Sequence, residues 1–174
     1  MNFKDLVKKK KPIDYILYWA IMISVVALDM ITKFISYAKL RLVDTVPIIK
    51  GVIHFTYVEN RGAAFGMLKD HRWVFISISS VVIAAIIAYL FLGHADSRLM
   101  EVSLCLLAAG GLSNMIDRVS LGYVVDFIDF RLINFAVFNV ADSCVCIGAG
   151  LMVLYLILEM KKEIEQKRTK SNGN

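Results

Sequence analysis

Four apolar runs, each about as long as a bilayer is thick, constrain this 174-residue chain more than any other feature of it. A helix that crosses the hydrocarbon core needs about 20 predominantly apolar residues, with roughly 17–25 tolerated. The runs cover residues 15–38, 73–92, 99–116 and 136–158, and the second carries no charge. Composition agrees: 58% of residues are hydrophobic, 20% are charged, and mean hydropathy is +0.64. Counted with Gly and without Tyr, roughly 60% are apolar, against about 45–50% in a soluble domain. That excess, with only two Pro, excludes disorder, a collagen-like chain and an ordinary soluble enzyme. The expected fold is therefore an all-α integral membrane protein, one membrane domain over residues 1–174 with four transmembrane helices.

Orientation follows from Lys and Arg near the span ends, which are enriched on the cytoplasmic side. Residues 1–14, 94–98 and 159–174 hold eleven basic residues in 35 positions, whereas residues 39–72 and 117–135 hold eight in 53. Both termini, including a basic tail over residues 159–174, are thus expected in the cytoplasm. The net charge of +5 reads as membrane orientation and not as nucleic-acid binding, because the basic residues flank apolar runs. A Lys cluster before an apolar core also outlines a cleaved signal peptide. Apolar residues continue past Ala27 through Ile31 and Ile35, however, which suits a retained span better.

The outer connections are long. Residues 46–58 (VPIIKGVIHFTYV) are rich in β-branched and aromatic side chains with Gly51 as a turn candidate, and predict a strand pair. Backbone beside a membrane must be paired or lie in the interface, so the loop over residues 39–72 is expected to form a small extracytoplasmic β-cradle. Residues 61–70 (RGAAFGMLKD) read as a loop or a short interfacial helix. Cys105, Cys144 and Cys146 are odd in number and lie in apolar runs, which suits small buried side chains and no disulfide framework.

Ionisable residues inside apolar spans are costly and mark functional sites. Asp29 and Lys33 lie in the outward half of the first run, Asn114, Asp117 and Arg118 at the outward end of the third, and Asn139 and Asp142 near the start of the fourth. At 1.5 Å per residue, a helix starting at 136 puts Asp142 roughly 9 Å along it. Asp29 and Lys33, i and i+4 with the acid first, suit either a self-neutralising pair that docks a neighbouring helix or a direct substrate contact. Arg118 presents a permanent fork of donors that must meet carbonyls or carboxylates, in a structural or a binding role.

Asp142 has no basic residue within a helical turn. A second carboxylate nearby would let the two share one proton, so that one acts as base and the other as acid. Such a pair can activate a water and protonate a carbonyl oxygen or a leaving nitrogen. Asp126 and Asp129, in VVDFIDF of the loop before the fourth span, are both candidates, and proximity in sequence does not choose between them. Other hydrolytic chemistry lacks its parts: there is no H-E-x-x-H, G-x-S-x-G or P-loop, and His and Cys lack metal-ligand spacing. A cation- or proton-coupled transporter using Asp29, Lys33 and Asp142 is the rival reading, and a structural scaffold the third. A transporter needs ionisable groups at several depths, whereas here they gather near one side.

The segments Asp29-Met-Ile-Thr-Lys33, Asn60-Arg-Gly-Ala-Ala-Phe65, Asn114-Met-Ile-Asp-Arg118, Val124-Val-Asp-Phe127 and Phe138-Asn-Val-Ala-Asp-Ser143 resemble, in order and over nearly the whole chain, the motifs of the bacterial type II signal peptidases. Met30 stands where that family often has Gln, and Ser113 where Gly is common. The resemblance implies an intramembrane aspartyl endopeptidase that cuts the signal peptide from a prolipoprotein just before its diacylglyceryl-modified Cys. Motif by motif, it implies Asp126 and Asp142 as the catalytic pair, Asn60, Asn114, Arg118 and Asn139 as substrate-holding or site-ordering residues, and Asp29 and Lys33 as buried support. It implies no metal or cofactor, no nucleic acid, membrane lipid as surroundings, and a monomer.

Overall fold

The computed structural model describes residues 10–62, 71–133 and 135–172. Four helices carry the apolar runs: α1 (Pro12–Leu40), α2 (Arg72–Phe91), α3 (Arg98–Ser120) and α4 (Val140–Asn172). All four are long and apolar enough to cross a membrane. Their outer faces show why: Ile23, Ile31, Phe34, Ile78, Val81, Ile147 and Val153 are each more than half exposed, a surface suited to lipid and not to water.

Helix α3 is the centre, packed against each of the other three. Small residues let it approach α4 closely. A Cβ on Gly110 would sit 2.5 Å from the Ala141 carbonyl oxygen and 2.7 Å from the Val145 side chain, so only Gly fits there. About two turns nearer the N-terminus of α3, the Ser103 hydroxyl donates to the Gly148 carbonyl at 2.7 Å, tying the same two helices again. At the far end from the sheet, Tyr15, Tyr18 and Trp19 of α1 pack around Phe91 of α2, with ring centroids 5.4–5.9 Å apart.

The strand pair expected between α1 and α2 is present as β1 (Val46–Ile49) and β2 (Ile53–Asn60), joined through Gly51 at φ +76°. Two expectations need correction. The sheet has a third strand, β3 (Val124–Phe130), which comes from the connection between α3 and α4 and pairs antiparallel with β2; VVDFIDF is strand and not loop. Its alternating β-branched and aromatic residues account for that. Helix α4 starts at Val140 and not at 136, so Asp142 lies in its first turn. The basic tail continues the same helix as far as Asn172. Arg61 and Gly62 are not helical, and the remainder of the segment read as a loop or interfacial helix lies outside the described residues.

Candidate active site

Two carboxylates meet where β3 passes the N-terminus of α4. Asp126 projects from β3 and is buried; Asp142 projects from the first turn of α4 and is half-buried. Their placement begins with a reciprocal cap. The Asn139 Oδ1 accepts from Asp142 N at 2.8 Å while Asp142 Oδ2 accepts from Asn139 N at 3.2 Å, a capping box built from N-x-x-D. One sequence device thus starts the helix and fixes the Asp142 side chain.

Asparagine amides hold the rest. Asn139, fully buried, donates through Nδ2 to Asp126 Oδ1 at 2.7 Å, bridging the two acids. Asn60 at the end of β2 donates to Asp126 Oδ2 at 2.9 Å, its own oxygen held by Gly62 N–H at 3.0 Å. Asn114 of α3 donates to Asp142 Oδ1 at 2.7 Å. Burial, and next the charge of Asp142, push the Asp126 carboxyl up to about 7, against the lowering pull of the Asn60 and Asn139 amides. An acid in this state keeps its proton near neutrality and can give it up.

Behind this layer sits a buried ionic support. Lys33 bridges Asp29 at 2.6 Å and Asp117 at 2.9 Å, and donates to Asn114 Oδ1 at 2.9 Å. Asp29 is wholly buried and accepts from Ala141 N at 2.8 Å, so α1 caps the N-terminus of α4. Asp117 accepts from Val125 N at 3.2 Å and ties β3 to α3. The pair expected between Asp29 and Lys33 is therefore the middle of a network that locates both carboxylate-bearing elements. Ser113, a departure from the resembled pattern, adds a 2.6 Å bond from its hydroxyl to Asp29 Oδ2. Its small, polar side chain four residues before Asp117 was the only sequence signal for that role.

Arg118 lines the mouth. Its guanidinium donates to Gly62 O at 3.2 Å and Asn114 O at 3.3 Å, and lies 4.9 Å from the Phe75 ring centroid. Every predicted site residue thus falls in one neighbourhood. Asp129 does not: it faces the other side of β3, where Thr56 and Arg131 both donate to its Oδ2 at 2.8 Å. Burial would raise that carboxyl, but the Arg131 and Thr56 bonds outweigh it and hold Asp129 below the ordinary carboxylate range.

The carboxylate pair opens into a cavity of about 560 Å³ between α2, α3, α4 and the segment before α4. Phe75, Gly111, Phe135, Val137 and Cys146 supply much of its wall, so one polar end meets a long apolar groove. Among the described residues no three His, Cys, Asp or Glu side chains are grouped to hold a metal ion. What the arrangement offers is paired carboxyl acid–base chemistry at the end of an apolar slot.

Known proteins resemble this chain in sequence and in fold. The family model for Signal peptidase (SPase) II, Peptidase_A8, matches residues 21–158. The chain belongs to the signal peptidase II family. It is 44% identical to the lipoprotein signal peptidase of Halothermothrix orenii over 138 residues, which cover 79% of this chain and 93% of that one. With the lipoprotein signal peptidase of Brevibacillus brevis it shares 41% identity over 146 residues, 83% of this chain and 97% of the relative. A solved bacterial membrane enzyme superposes with a TM-score of 0.78 at 32% identity, covering 84% of this chain and 90% of the other. The fold is that of a multi-pass bacterial membrane enzyme.

Proposed function

We propose that the chain, an aspartic peptidase of the lipoprotein signal peptidase type, works through Asp126 and Asp142 and cuts prolipoproteins just before a Cys that carries a diacylglyceryl group. The observation that carries this reading is the pair itself: two carboxylates, bridged by Asn139 and held by amides, facing one cavity. Asp126, raised to about 7, holds the pair's proton below that pH and about half of the time at neutrality. Asp142 draws a proton from a water, the water attacks the scissile carbonyl, and Asp126 hydrogen-bonds the developing oxyanion. Proton transfer to the leaving nitrogen then completes cleavage without a covalent intermediate. Arg118 and Asn60, at the mouth, are the donors nearest the incoming peptide.

The apolar groove supports entry of a signal-peptide helix from the membrane, with its lipid chains left in the bilayer. Lys and Arg counts support cytoplasmic termini and a sheet on the outer surface. Purified protein in detergent, given a diacylglyceryl-modified prolipoprotein and no added metal, should release the signal peptide, and a chelator should leave the rate unchanged. Cleavage abolished by the chelator would overturn the aspartyl mechanism. A reporter active only in the cytoplasm should work when fused after Asn174 and fail when inserted near Lys50; the reverse would overturn the orientation.

A further inference from the structure

The peptide leading into α4 is a wall of the cavity and is built as half of a strand. Phe138 is bonded to β3 through both of its backbone groups. Its N–H donates to Ile128 O at 3.0 Å, and its carbonyl accepts from Ile128 N at 2.8 Å and from Phe127 N at 3.0 Å. Where one residue of an antiparallel pair exchanges both bonds with its partner, the residues on either side turn their N–H and C=O the opposite way. Those neighbours are Val137 and Asn139.

For Asn139 the direction is visible, since its N–H reaches Asp142 Oδ2 at 3.2 Å. The side of this peptide away from β3 is therefore the side of the carboxylate pair. Val137 turns its N–H and C=O the same way, about 7 Å back along the peptide, the length of one two-residue repeat. Val137 lines the cavity, and neither of its backbone groups has a partner among the described residues. Unpaired backbone groups facing an apolar groove are costly unless something binds them.

We propose that Val137 holds the substrate by its main chain. The peptide segment around the scissile bond lies extended along residues 136–138 as one more strand beyond β3, and one of its residues accepts from the Val137 N–H and donates to the Val137 carbonyl. This rests on the endopeptidase reading above. Both strands advance about 3.3 Å per residue, so the bond two residues from the Val137 partner lies beside Asn139 and the two acids. Main-chain pairing is blind to side chains, so it sets one register for many sequences and leaves selection to the cavity.

The test is an ester scan of the substrate with the intact enzyme. A diacylglyceryl-modified prolipoprotein peptide is made with each non-scissile amide, from three residues before to three after the cut, replaced in turn by an ester that lacks the N–H. One position about two residues from the cut should lose about tenfold in kcat/KM, mainly through KM, while its immediate neighbours lose less than about threefold. Val137→Pro deletes the enzyme's N–H, the other bond of the pair, and should cost at least about tenfold, whereas Val137→Ala keeps both groups and should cost less than about threefold. Even tolerance across the ester series overturns the proposal, as does a folded Val137→Pro enzyme that cuts as fast as wild type. If Val137→Pro does not fold, the ester series decides alone. Failure of the wild-type enzyme to cut the all-amide peptide would overturn the endopeptidase reading instead.

Discussion

The two ends of the bundle both bury acids, and they neutralise them differently. Away from the sheet, every such acid meets a cation: Arg98 reaches Asp14 at 2.5 Å and Glu101 at 2.7 Å, and Lys10 pairs with Glu101 and donates to the Ala95 carbonyl. That cluster locks the start of α1 to the start of α3. At the sheet end Lys33 does the same for Asp29 and Asp117. Asp126 and Asp142 stand apart from both clusters, because amide and backbone N–H groups hold them and no ion pair reaches either among the described residues. A cation beside a carboxylate keeps it ionised and makes a clamp. Neutral donors fix its position just as well and leave its proton free to move.

The largest effect expected from that difference is on cleavage. Asp126→Asn and Asp142→Asn keep size and much of the hydrogen bonding but remove the shared proton. Each should lower kcat by on the order of 10²–10⁴ or more, measured on folded, membrane-inserted protein. Because either change already removes the working pair, the double variant should be no slower than the singles. A double variant much slower than both would mean that the two acids act independently.

The clamps should respond in stability first. Lys33→Met leaves Asp29 and Asp117 buried and unpaired, a kind of change that costs about 3–5 kcal/mol. It also removes one of the two donors to the Asn114 oxygen, leaving only Asn139 Nδ2 at 3.1 Å, and so loosens the amide on Asp142. Thermal unfolding in detergent should drop sharply, and the folded remainder should cleave slowly. Glu101→Gln, at the other end, should lower the unfolding temperature by about 2–4 °C for a loss of about 1 kcal/mol and leave kcat unchanged below the transition. If Glu101→Gln slowed cleavage in folded protein, the two ends would be coupled and the contrast between them would fail.

Much of this was legible in the sequence. The helices announce themselves by length and hydropathy, and the clustering of Asp29, Lys33, Asn114, Asp117 and Asp142 at one depth follows from counting along those helices. The connections were harder. Residues 124–130 hold two acids among apolar residues, and a loop reading hid the third strand because its partners in β2 lie 64–77 residues away across two helices. The start of α4 was misplaced for a related reason: Ala136 to Phe138 continue the apolar run, yet Phe138 spends its backbone on β3, and the helix waits for the Asn139 cap. The inter-helix cap by Asp29 could not be read locally at all, since it joins residues 112 apart.

A pH profile sharpens the same comparison at about one order of magnitude per unit. The Asp126 carboxyl is raised to about 7, so its proton is held below that pH, half lost at neutrality and gone well above it. With both acids ionised the pair has no acid to stabilise the oxyanion, and kcat/KM should fall about tenfold per pH unit well above 7. The apparent value belongs to the pair and not to one residue. Glu101→Gln should not move this limb, because that cluster exchanges no proton with substrate. An alkaline limb absent up to pH 9 would show that Asp126 does not carry the pair's proton.

The smallest expected effect falls on Asp129, three residues from Asp126 on the same strand. Successive side chains of a strand point to opposite faces, so an odd separation places these two acids on opposite sides of the sheet. Asp126 meets Asn60 and Asn139, while Asp129 meets Thr56 and Arg131. In sequence the two were equivalent candidates to pair with Asp142; the strand separates them, and period-two reasoning would have done so had VVDFIDF been recognised as β. Asp129→Asn keeps a hydrogen-bonding side chain beside Thr56 and Arg131 and removes a charge from a site with no part in proton transfer. Its kcat/KM should stay within about tenfold of wild type, a barrier change of about 1.4 kcal/mol or less. Its pH profile should keep the same alkaline limb. An inactive Asp129→Asn beside an active Asp126→Asn would put the chemistry on the wrong face of β3 and reverse the assignment of the pair.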